Sequence, residues 1–237
     1  MYRTLFADRV DAGRQLARAL QHRQQRQEGA WAPEPASASS AAGKAPTVGA
    51  AAPLVLALPR GGVPVAYEVA AGLQAPLDVL VVRKLGLPGH EELAIGAVAG
   101  GGAEIINDEL VRSFNVSRAA LAAVRERELA ELARREREYR GDRPPLDVKG
   151  RAVIVVDDGV ATGATIRVAV AALRQSGARH ITVAVPLASP DVAKQLTRIA
   201  DDLICLETPE PFGSVGQWYS RFDQTTDEEV RAALERA

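Results

Sequence analysis

Five short aliphatic runs constrain this chain more than any other feature. Residues 54–58 read Leu-Val-Leu-Ala-Leu, 153–156 read Val-Ile-Val-Val, and 203–206 read Leu-Ile-Cys-Leu; 78–82 and 181–187 are of the same kind apart from Asp78 and Thr182. Runs that are apolar throughout, rather than alternating with polar residues, suit strands buried on both faces. Residues 63–73, 165–176 and 191–200 lie between or after them and read as helices. Strand and helix in alternation imply an α/β fold, a parallel sheet with helices on both faces, Rossmann-like and doubly wound. Such sheets bind ligands at the carboxyl ends of their strands. The informative residues are therefore those that follow each run.

Composition narrows the setting. The 237 residues carry 29 basic and 30 acidic side chains, a formal charge of -1. That balance argues against a nucleic-acid partner, which needs a clustered basic surface, and against a polybasic membrane anchor. No apolar run approaches the ~20 residues of a membrane span, and residues 1–8 lack a signal-like apolar core. A cytoplasmic protein is expected. The single cysteine, Cys205, excludes an internal disulfide.

Four regions are expected. Residues 1–23 hold an N-terminal helix, with Asp8 as N-cap and Val10, Gly13, Leu16, Ala17 and Leu20 on its inner face. Residues 24–52, rich in Ala, Pro, Ser and Gly, read as a flexible linker. Residues 53–208 form the core, including 85–140. Within that stretch 95–99 and 104–107 suggest a hairpin around Gly100-Gly101-Gly102, and 117–140 a long helix capped by Ser117. The helix shows a narrow apolar stripe at Leu121, Val124 and Leu132 beside interspersed Arg and Glu. Residues 209–237 form a tail with four of the chain's ten aromatic residues, Phe212, Trp218, Tyr219 and Phe222.

The third run opens into the most specific segment, Val153-Ile154-Val155-Val156-Asp157-Asp158-Gly159-Val160-Ala161-Thr162-Gly163-Ala164-Thr165. A buried strand ends in two carboxylates, and a small-residue turn then starts a helix. Backbone amides of that turn, the Thr162 and Thr165 hydroxyls and the helix dipole suit a phosphate. Gly163 allows close approach of the backbone. The carboxylates would repel a phosphate; they suit vicinal hydroxyls, a divalent cation, or both. Phosphate donors beside diol and metal acceptors describe a phosphorylated ribose. The pattern lacks the Gly-Lys-Ser/Thr of a Walker loop and the Gly-x-Gly-x-x-Gly of a dinucleotide site.

This segment closely resembles the 5-phosphoribosyl-1-pyrophosphate (PRPP) motif of the type I phosphoribosyltransferases: four apolar residues, two acids and a turn ending in Thr-Gly-x-Thr. The resemblance covers residues 54–206. It implies that residues 161–165 (Ala161, Thr162, Gly163, Ala164 and Thr165) hold the 5′-phosphate. It implies that Asp157 and Asp158 hold the ribose diol and a Mg²⁺ ion, directly or through water. Pro59-Arg60-Gly61-Gly62 resembles the family's pyrophosphate turn, and Arg83-Lys84 the cationic pair that meets pyrophosphate. Arg60, Gly61, Gly62, Arg83 and Lys84 are thus the expected pyrophosphate ligands. Catalysis is expected from Arg83, Lys84, Asp157 and Asp158.

The implied reaction expels pyrophosphate from C1 of the ribose through an oxocarbenium-like transition state and joins C1 to a nitrogenous acceptor. Residues 85–102 correspond to a mobile lid. The chain termini would form a small hood over the acceptor, with Val160, Trp218 and Tyr219 as its contacts, although aromatics in such a tail equally well strap it to the core. Hypoxanthine-type members carry an acid at the position of Ala161, so a 6-oxopurine acceptor is disfavoured. The partners implied are PRPP and a small acceptor, with a homo-oligomer retained because the long helix could also serve as a subunit contact. A PRPP sensor without turnover is the alternative.

Overall fold

The computed structural model describes residues 4–26, 52–144 and 146–237. The expected linker over 24–52 falls almost wholly outside the described residues; its first three residues extend the N-terminal helix. Helix α1 spans Arg9–Arg26. Asp8 caps it, its Oδ1 accepting from the Asp11 amide at 2.9 Å. The buried face is Ala12, Gly13, Leu16, Ala17 and Leu20. Val10, expected on that face, is 36% exposed, because the close helix contact is made at Gly13. A methyl group there would lie 2.8 Å from the Val65 carbonyl oxygen.

Five strands form one parallel sheet: β1 (Leu54–Ala57), β2 (Leu77–Val79), β6 (Ala152–Val156), β7 (His180–Leu187) and β8 (Asp202–Glu207), in the order β2-β1-β6-β7-β8. The other three, β3 (Val82–Leu87), β4 (His90–Ala99) and β5 (Ala103–Ile106), form a separate antiparallel sheet. Every residue of β1 and β6 is buried. Their side chains alternate between two cores. Val55, Ala57, Ile154 and Val156 face the core shared with α1, α2 (Gly62–Leu73) and α4 (Arg118–Arg140). Leu54, Leu56, Val153 and Val155 face the core shared with α5 (Ala164–Gln175) and α6 (Pro190–Ile199). Each fully buried Leu, Ile or Val contributes about 1.5–3 kcal/mol. A doubly covered parallel sheet is the architecture that the aliphatic runs predict.

Two expectations need correction. The run at 78–82 is not one strand. The Leu80 amide still bonds the Ala57 carbonyl at 2.9 Å; the chain then turns, and Val82 pairs with Ala99 in the second sheet. Val79, Leu80 and Val81 are all buried, so hydrophobicity carries no mark of the change of partner. The segment 85–102 is likewise more than a loop with a hairpin at 95–107. Strand β3 joins the 95–107 hairpin, with a register shift at Gly86, and the β3–β4 turn holds Gly89 at φ 81°.

Helix α4 begins as expected, with Ser117 Oγ accepting from the Ala120 amide. Its buried residues are Val124, Glu128, Leu132 and Tyr139. Helices α3 (Asp108–Ser113) and α7 (Asp227–Glu235) and a 3₁₀ turn at Gly216–Trp218 complete the described elements. No helix among the described residues is long and apolar enough to cross a membrane.

Candidate active site

Strand order alone picks out one crevice. From β1 the chain moves outward to β2, and later returns on the other side of β1 as β6. The direction of winding therefore reverses between β1 and β6, and ligands bind outside the carboxyl ends of strands at such a reversal. Ala57 and Val156 form the last pair of that ladder. The two Gly- and Asp-bearing turns singled out by the sequence leave from these two strands.

The first turn is compact. The Leu58 amide bonds the Val156 carbonyl at 2.9 Å, and the Gly62 amide bonds the Leu58 carbonyl at 3.1 Å. The Pro59–Arg60 peptide is cis. A methyl on Gly62 would lie 2.7 Å from the Val156 carbonyl oxygen, and one on Gly61 2.0 Å from Asp158 Oδ2. Real Cβ contacts do not come so close, so the glycines let the turn pack against the acidic pair.

The second turn leads into α5. Gly163, at φ 72°, occupies the N-cap position and no side chain caps the helix. Thr162, Ala164 and Thr165 are exposed around it, as is Ala161. An uncapped first turn leaves amide donors free for an anion. The Arg167 guanidinium donates to the Thr162 carbonyl at 2.8 Å, and Ser189 Oγ to that of Ala161 at 3.2 Å. Val160 is buried and bridges to Ala188.

The two carboxylates differ. Burial, reinforced by the charge of Asp158, raises the Asp157 carboxyl well above the usual carboxylate range. Its Oδ1 accepts from the Asp158 amide at 2.9 Å, and among the described residues no basic side chain pairs with it. Burial raises Asp158 too, opposed by Arg9. The Arg9 Nε donates to Asp158 Oδ2 at 2.8 Å. A hard cation suits the donor set: Mg²⁺ is held by one or two carboxylates with the remaining positions filled by water and substrate phosphate. The described residues contain no cluster of three or more His, Cys, Asp or Glu side chains able to hold a metal on their own.

The expected pyrophosphate cations all have protein partners. Arg60 lies 3.6 Å from Asp227 of α7, whose carboxylate also accepts from the Tyr139 hydroxyl at 2.7 Å. Arg83 contacts Glu128 of α4 through Nε at 2.9 Å and Nη2 at 2.6 Å. Lys84 pairs loosely with the exposed Glu92 at 3.5 Å. Arg83 and Lys84 stand within β3, not at the end of a buried parallel strand as the run at 78–82 suggests. Trp218 and Tyr219 are 6% and 4% exposed. Tyr219 packs on Phe6 and Phe222, and its hydroxyl donates to the Asp158 carbonyl at 2.5 Å. In this arrangement the aromatic tail is a strap beside the acidic pair.

Arg9, Glu128 and Asp227 are structural partners of the site that sequence reasoning does not find. Each is one charged residue among many, with no motif around it. The expected hood of termini is the only signal that points toward Arg9.

The geometry can be set beside known proteins. The family model described as "Phosphoribosyl transferase domain" matches residues 38–216. A curated Mycobacterium tuberculosis protein, provisionally named a phosphoribosyl transferase, is 45% identical over 233 residues, 98% of this chain. The chain spans about half the length of that relative, 47%. The crystal structure of the Thermus thermophilus protein TT1426 superposes with a TM-score of 0.78 at 39% identity, covering 99% of both chains. The acidic strand end, the uncapped Thr-Gly-x-Thr turn and these similarities converge on one family, and the chain belongs to the phosphoribosyl transferases.

Proposed function

We propose that this chain binds PRPP with Mg²⁺ and transfers the 5-phosphoribosyl group to a nitrogenous acceptor, releasing pyrophosphate, in the cytoplasm. One observation carries the reading. An uncapped helix N-terminus and a Gly-Gly turn flank a pair of half-buried carboxylates at the point where the sheet reverses its winding.

Each residue then has a task. The amides of residues 161–165 and the Thr162 and Thr165 hydroxyls receive the 5′-phosphate. Asp157 and Asp158 hold the ribose diol. The Gly61-Gly62 turn and Arg60 receive pyrophosphate, with Arg83 and Lys84 adding positive charge from β3. Asp157 and Asp158 would hold Mg²⁺, which would supply charge neutralisation for pyrophosphate. The turns hold the C1–O bond in place for in-line attack and stabilise the charge that leaves. Tyr219, with Trp218 beside it, sets the position of the Asp158 backbone, and Val160 supports the floor next to the acceptor.

A second reading, binding without turnover, is favoured by one observation. Arg83 is already committed to Glu128, which leaves fewer cations for a leaving group. One experiment separates the two. Purified protein is titrated with PRPP and excess Mg²⁺ by calorimetry, and pyrophosphate is then assayed across a panel of purines, pyrimidines and aromatic amides. Heat with pyrophosphate release supports transfer. Heat with silence across the panel supports a sensor, and no heat overturns both.

A further inference from the structure

The two members of the acidic pair are held differently. Asp158 is tied to both ends of the chain. Its Oδ2 accepts from Arg9 Nε of α1 at 2.8 Å, with the two side chains 12% and 13% exposed. The Arg9 guanidinium is itself fixed twice more. Its Nη1 donates to the Asp223 carbonyl at 2.5 Å, and it lies over the Phe222 ring, 3.8 Å from the centroid. The same Oδ2 is the atom that a methyl on Gly61 would strike. Asp157 has no such anchor among the described residues.

We infer that Arg9 is a positioning residue that secures Asp158 to the N-terminal helix and the C-terminal strap, leaving Asp157 as the carboxylate that meets the ribose diol and its metal. The inference rests on the PRPP reading and assigns the labour within it. Its physical basis is charge. Two adjacent carboxylates facing a polyanionic ligand repel it. A guanidinium against one of them offsets its charge and leaves the other carboxylate to accept from hydroxyls. An arginine held by a carboxylate, a carbonyl and a ring face is part of the built site rather than a latch that opens.

The test is a double-mutant cycle on the full chain, read by calorimetric titration with PRPP and excess Mg²⁺. The variants are Arg9→Met, Arg9→Lys, Asp158→Asn, Asp157→Asn and the Arg9→Met/Asp158→Asn double. Expected are a loss of about tenfold or more in PRPP affinity for Arg9→Met, partial rescue by Arg9→Lys, and no further loss when Arg9→Met is added to Asp158→Asn. Asp157→Asn should lose more affinity than Asp158→Asn. Thermal melts recorded beside the titrations score folding separately. A merely structural Arg9 would lower the melting temperature and leave the affinity of the folded protein unchanged, which overturns the inference, as would additive losses in the cycle. Wild-type protein that gives no heat overturns the PRPP reading itself; wild-type heat with an unaffected Arg9→Met overturns only the role given to Arg9.

Discussion

A methyl group placed on Gly61 would lie 2.0 Å from Asp158 Oδ2. The Gly61-Gly62 turn and the acidic strand end are therefore one packed unit, and neither can be altered alone. Gly61→Ala must push Asp158 off Arg9 or reshape the turn. The expected result is a destabilisation of about 1–3 kcal/mol together with at least about a tenfold loss of PRPP affinity. Chemical denaturation and calorimetry on the same preparation check both.

Thr165 is exposed on an uncapped helix end. Thr165→Val should leave the melting temperature within about a degree or two, since exposed surface changes of this kind cost little. Binding of PRPP, or of ribose 5-phosphate alone, should weaken by about 1.5–3 kcal/mol, the value of a charge-assisted hydrogen bond. Equal binding by wild type and variant would remove Thr165 from the phosphate site.

Burial raises the Asp157 carboxyl well above its ordinary value of 3.8. The unfolded chain gives up this proton more readily than the folded one. Asp157 therefore favours folding at low pH, and that contribution is lost as pH rises from about 4 through the raised value. Asp157→Asn, which keeps the acceptor for the Asp158 amide, should be more stable than wild type at pH 7 and should lose the advantage near pH 4. Its melting temperature should no longer rise when PRPP and Mg²⁺ are added. Paired melts across that pH range test the sign.

Arg83 and Lys84 are neighbours with different surroundings. Glu128 is a buried carboxylate, 8% exposed at its side chain, and Arg83 holds it through two nitrogens. Arg83→Met should cost about 1.5–3 kcal/mol, the loss of charge-assisted hydrogen bonds, because Arg127 Nε still holds Glu128 Oε1 at 3.1 Å. Lys84, half exposed beside Glu92, should tolerate Met with little change in stability. If Lys84 meets pyrophosphate, Lys84→Met should raise the concentration of pyrophosphate needed to stabilise the protein in a melt.

Much of this architecture is legible in the residues themselves. Runs such as 153–156 announce central strands because both faces of the sheet are covered and nothing polar fits. The Thr-Gly-x-Thr turn announces a helix start, and the structure places it at the uncapped first turn of α5. The boundary between β2 and β3 is silent, since Val79 to Val82 stay apolar while the backbone changes partners. The commitment of Arg83 to Glu128 is equally silent: a sequence displays charges but not the pairing of residues 45 positions apart. Arg9 is the extreme case, 149 positions from the carboxylate it holds.

The pairing of Ala57 with Val156 has one last implication. Adjacent strands in a ladder sit about 4.8 Å apart, a spacing dictated by backbone hydrogen bonds and insensitive to side chains. Two grips mounted on neighbouring rails share that fixed gauge. Lengthening either loop would change its reach but not the distance between mountings. Variation among proteins built this way should fall on what the grips present, while the interval between them stays constant.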